Sequence, residues 1–152
     1  MSTNDQKLPA YRHSLAGTLL AAREAMMAPI RPYLREAGVT EQQWRVLRVL
    51  DESDSDPTAL AEAALLFAPS VTRILKDLVD RDLIVRRADP QDGRRSILSL
   101  TPAGRALIRK TSRRTVHVLE SYAEHFGAER LAKLQSELLA FARAIAAAHE
   151  TE

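Results

Sequence analysis

Twelve lysines and arginines lie within residues 69–114 against five aspartates, so this span carries +7 and the remainder −5, within a net charge of +2. A basic centre between acidic flanks is the footprint of a polyanion site, although the same surplus also suits a solvated surface. Two segments inside it could do more than attract charge. In the first, Val71, Ile74, Leu75, Leu78 and Val79 recur with helical spacing, which leaves Ser70, Thr72, Arg73 and Lys76 facing outward. A helix fits the major groove, where hydroxyl and guanidinium groups meet base edges. Pro69 suits the first turn of that helix, because its missing N–H would be unpaired there. Pro69, Ser70, Thr72 and Arg73 are therefore the expected DNA-facing residues, with Lys76 on phosphate. The second segment is Asp89-Pro90-Gln91-Asp92-Gly93-Arg94-Arg95, a turn between two apolar runs. An arginine at such a tip suits a narrow minor groove, where negative potential is concentrated. Arg94 is the expected minor-groove residue, with Arg95 beside it.

Other chemistry finds no foothold. His13, His117, His125 and His149 are scattered without ligand spacing, and there is no cysteine. Disulfides, thiolate metal sites and thiol redox sensing are thereby excluded. No glycine-rich phosphate loop, nucleophile elbow or His-x-x-x-His motif occurs. The expectation is no enzyme, no cofactor and no metal. No apolar run approaches the length of a membrane span, and residues 1–14 lack an apolar signal core, so a cytoplasmic protein without a membrane partner is expected.

The elements that must hold these residues are mostly helical. A first helix is expected over 15–37, kinked by Pro29 and Pro32 and closed by Gly38. Thr40-Glu41-Gln42-Gln43 has the form of a capping box and opens a second helix, with Trp44, Leu47 and Leu50 inward. Residues 51–56 read as an acidic turn, 58–65 as a short third helix, and the fourth helix starts near Pro69. Strands are expected at 83–87 and 96–100. Thr101-Pro102 opens a fifth helix running to about Phe126, where Gly127 ends it. A sixth carries Leu131, Leu134, Leu138, Phe141 and Ile145, a heptad-like stripe.

A short helix, a turn, a helix with a polar outer face and then a basic hairpin make a winged helix-turn-helix. The fold class is mainly α (α+β). A winged-helix adaptor that binds only protein is the competing reading, but it has no need of outward arginines on both helix and wing.

The wing DPQDGRRSILSLTPAGRAL resembles that of MarR-family regulators, whose Asp-x-Arg signature is matched by Asp92 and Arg94. PSVTRILKDLVDRDLIVRR is similar to the family's recognition helix and first wing strand. Ala22-Arg23-Glu24-Ala25, Arg31-Pro32 and Thr40-Glu41-Gln42-Gln43-Trp44-Arg45 resemble the subfamily that represses homoprotocatechuate (4-hydroxyphenylacetate) catabolic operons. The resemblance implies a triangular homodimer, with residues 1–38 and 104–152 for dimerisation and 39–103 for DNA. It implies that Asp92 holds the wing while Arg94 enters the minor groove. It also implies a double-stranded, pseudo-palindromic operator and an aromatic-acid effector. A phenolic carboxylate needs a cation, an apolar wall and a hydroxyl partner, for which Arg23, Trp44, Arg48 and His13 are the candidates. Control of a different operon, for stress or efflux, is the alternative.

Overall fold

The computed structural model describes residues 8–150. A short 3-10 turn, Tyr11–His13, is followed by α1 (Leu15–Met27), α2 (Arg31–Glu36), α3 (Glu41–Glu52), α4 (Pro57–Ala63) and α5 (Ala68–Asp80). Strands β1 (Ile84–Ala88) and β2 (Ser96–Leu100) form an antiparallel pair, and α6 (Pro102–Phe126) and α7 (Ala128–His149) complete the chain. The mainly α winged-helix class expected above is the one observed.

The single kinked helix expected over 15–37 is two helices. Pro32 lies in the first turn of α2, and α1 has already stopped at Met27. Two prolines four residues apart or fewer remove donors and crowd the preceding turn, so the ladder ends instead of bending. The strands are shifted by one residue at β1, which pairs Ile84 with Leu100 and Ala88 with Ser96. Leu83 is used up in closing α5, its amide donating to the Leu78 carbonyl at 3.0 Å. The acidic turn contains an unforeseen piece of sheet: Ser55 exchanges backbone hydrogen bonds with Leu98 at 3.1 and 2.8 Å.

Two compact units are present, Met1–Thr111 and Ser112–Glu152. In the first, Leu34, Val46, Leu47, Leu60, Leu75, Leu78, Ile84 and Leu98 are fully buried. Each such side chain contributes about 1.5–3 kcal/mol by leaving water. Helix α6 begins tightly in this unit. The Thr101 hydroxyl donates to the Asp82 carbonyl and accepts from the Gly104 amide at 3.0 Å, and Gly104 lies against the Leu83 carbonyl. In the second unit, α7 has no buried residue, and Leu134, Leu138, Phe141 and Ile145 of its apolar stripe are all exposed. Gly127 links α6 and α7 at φ 97°, a conformation that favours glycine.

Candidate nucleic-acid interface

Helix α5 buries Ile74, Leu75 and Leu78 and turns Pro69, Thr72, Arg73 and Lys76 to solvent, with Ser70 half-buried. The Arg73 guanidinium makes no hydrogen bond or ion pair among the described residues. Lys76 is paired with Asp80 one turn on, at 2.5 Å, and that bond raises its pKa so that it stays charged. Both groups are well exposed, so the pair is weak and a phosphate can compete for the ammonium.

A buried amide fixes the seating of this helix. Gln43 on α3 donates from Nε2 to Asp77 Oδ2 at 2.7 Å, while its Oε1 accepts from the Thr40 amide at 3.0 Å. Arg81 Nη1 lies 3.4 Å from Asp77 and 3.5 Å from the Gln43 oxygen. The expected capping box is therefore present, and the same glutamine also joins α3 to α5. The local motif signalled only the first of these roles.

The wing tip is tied by aspartates. Asp92 Oδ1 accepts from the Arg94 amide at 3.1 Å and its carbonyl from the Arg95 amide at 3.0 Å. Asp89 Oδ1 accepts from the Gln91 amide, and its own amide donates to the Arg95 carbonyl, both at 2.9 Å. The Arg94 side chain is exposed and makes no contact of these kinds among the described residues. Arg95 is engaged differently, with Nη2 at 3.8 Å from Asp56 Oδ2. Asp56 caps α4, and the bond from the Ala59 amide, with those from Thr58 and the charge of Arg95, holds its carboxyl below the usual range. An open groove between α4 and the wing brings Thr58, Arg94 and Arg95 to one surface.

The residues expected to meet an effector are partly assembled. Glu41, Trp44 and Arg48 recur at spacings of three and four on one face of α3. Arg23 of α1 reaches that face, 2.6 Å from Glu41 and 3.2 Å from Glu24. Arg31 closes the cluster through Glu41 Oε1 and through Glu24 at 2.8 Å. The Arg31 guanidinium, joined for Glu41 by that of Arg23, holds both carboxyls below their usual range. Trp44 is buried, whereas Arg48 is exposed and without a side-chain partner among the described residues. His13 lies in the 3-10 turn ahead of α1, bonded to Arg12 at 3.1 Å, and takes no part in these ion pairs. Arg31 and Glu41 lie in segments that the sequence marks, but no local signal joins them to this cluster.

Residues 37–95 match the model of the MarR family. The homoprotocatechuate degradative operon repressor of Escherichia coli is 39% identical over 123 residues, spanning 80% of this chain and 82% of that protein. The crystal structure of NadR in complex with 4-hydroxyphenylacetate superposes with a TM-score of 0.79 at 33% identity, over 90% of this chain and 97% of NadR. The transcriptional repressor CouR, bound to a 23-mer DNA duplex, gives 0.76 at 26% identity, over 90% and 99%.

Proposed function

The chain belongs to the MarR family of DNA-binding transcriptional regulators, and we propose that it is a homodimeric repressor of an aromatic-acid catabolic operon, relieved by a phenolic or aromatic carboxylate. The observation that carries the DNA-binding part of this reading is that the guanidinium groups of Arg73 on α5 and Arg94 on the wing are exposed and, among the described residues, without a hydrogen-bond or ion-pair partner. Unpaired cations on a helix and on a hairpin tip suit a major and a minor groove. Pro69, Ser70, Thr72 and Arg73 face bases, Lys76 faces phosphate, Asp92 holds the tip, and Arg94 enters the minor groove with Arg95 beside it. Residues 39–103 act as the DNA-binding part, and 1–38 with 104–152 as the dimerisation part. The uncovered stripe on α7 supports dimerisation, since four large apolar side chains stand in water in the single chain. A two-fold protein predicts a pseudo-palindromic operator with half-sites about 34 Å apart.

The effector carboxylate is placed at Arg48 and Arg23 against Trp44, with His13 as a further partner for the phenol. It weakens DNA binding only by the difference in its affinity for the two states of the protein. The test is titration of the protein against DNA from its own upstream region, with and without 4-hydroxyphenylacetate and a panel of benzoates. Binding that weakens with one of these acids is expected. Binding untouched by the whole panel at millimolar levels overturns the effector class, and no binding to any duplex overturns the regulator.

A further inference from the structure

We propose that the turn ahead of α5 is itself a base-reading element, in which the Phe67 ring, flanked by Leu65, packs on the C5-methyl group of a thymine in the major groove. This rests on the reading of α5 as the helix that enters that groove. Phe67 is 82% exposed and Leu65 78%. Beyond residues 8–11, every other exposed large apolar side chain among the described residues is at 58% or below. The display is built in. Leu65 has φ 52°, a left-handed conformation that glycine adopts freely and a bulky side chain resists. Backbone bonds hold it there, from the Leu65 amide to Glu62 at 3.1 Å and from the Leu66 amide to Ala61 at 2.9 Å. Arg45 braces the same turn from α3, donating from Nε to the Ala64 carbonyl at 2.8 Å. The turn thus buries much of Leu66 and sends its two neighbours outward.

Phe67 occupies the N-cap position of α5, its carbonyl accepting from the Ser70 amide at 3.0 Å. The N-terminal residues of such a helix are the ones that meet base edges. Cytosine and thymine differ in the major groove by a methyl group as well as by their polar atoms, and an apolar side chain is what detects the methyl. The cations of this face cannot detect it. Two apolar side chains on a turn also make too small a patch for a protein interface core, which favours DNA over a second copy.

The test begins with selection of preferred sites from a random duplex pool by the wild-type protein. Each thymine of the selected half-site is then replaced by uracil, which removes only the methyl group. Wild-type affinity is expected to fall roughly fourfold at one thymine per half-site. Phe67→Ala should bind less tightly and be indifferent to that replacement, and Phe67→Leu should recover part of the sensitivity. Equal uracil effects in wild type and Phe67→Ala, or a selected half-site without thymine, overturn the proposal while leaving the DNA-binding reading intact. Failure of the wild type to select any site overturns that reading instead. Covering of the turn by a second copy would appear as a lower dimer mass for Phe67→Ala with no uracil effect, and would also overturn it.

Discussion

Replacing Gln43 by leucine keeps the volume of a buried side chain and removes its polar ends. Three contacts are lost: the 2.7 Å bond to the Asp77 carboxylate, the 3.0 Å bond from the Thr40 amide, and the long approach of Arg81. A bond to a charged partner is worth about 1.5 kcal/mol or more and a neutral one about 1 kcal/mol. Asp77 and Arg81 are partly exposed and regain water, which lowers the sum. The net loss is about 1–2 kcal/mol, a fall in melting temperature of roughly 2–8 °C for a chain of this size. The assay is thermal unfolding followed by circular dichroism at one fixed protein concentration, because dimerisation is linked to unfolding. Asp77→Asn keeps a neutral bond and should lose about half as much. A melting temperature for Gln43→Leu equal to that of wild type would refute the role given to this amide in seating α5.

Gly104→Ala would place a Cβ 2.1 Å from the Leu83 carbonyl oxygen, so the start of α6 must shift, and the melting temperature should fall by at least as much as in Gln43→Leu. Glu24 and Glu41 have lowered pKa values, so the stability they confer is full above the ordinary carboxylate range, about pH 4, and is lost as the pH falls through their depressed values. Glu41→Gln should therefore melt lower than wild type at pH 7, with the gap narrowing as the pH is taken below the ordinary carboxylate range, as a series of melts will show. Arg48→Ala should leave operator affinity within about twofold while blunting its response to 4-hydroxyphenylacetate by roughly tenfold, measured by the same DNA titration with and without the acid.

What could be read from sequence was what is local. Thr40 and Gln43 are three residues apart, and their capping box was evident. The polar side of α5 and the aspartate–glycine turn of the wing follow from spacing within a dozen residues. The ends of elements were less legible, because Pro29 and Pro32 announce a disturbance without saying whether a helix bends or stops. Partners distant in sequence were not legible at all. Nothing local joins Gln43 to Asp77, 34 residues on, or Arg95 to Asp56, or Glu41 to both Arg23 and Arg31. Those pairings arise when the packed core brings helices together, and they decide which charges remain available. Among the described residues, Arg73 and Arg94 stay unpaired while Arg23 is engaged. The stripe on α7 shows the same boundary: its register is plain in the spacing of its leucines, but the surface that covers it is not written in that spacing.

The central claim is that exposed cations on α5 and the wing bind a duplex. Its most direct measurement is the salt dependence of binding to the selected or upstream DNA, for wild type and Arg94→Ala. Each phosphate neutralised contributes about −0.9 to the slope of log affinity against log salt. Wild type should show a slope of roughly −4 or steeper. Arg94→Ala should lose about 1–3 kcal/mol of affinity and about one unit of slope, with its dimer mass unchanged. A flat wild-type response, or an Arg94→Ala protein that binds as tightly as wild type, would contradict it.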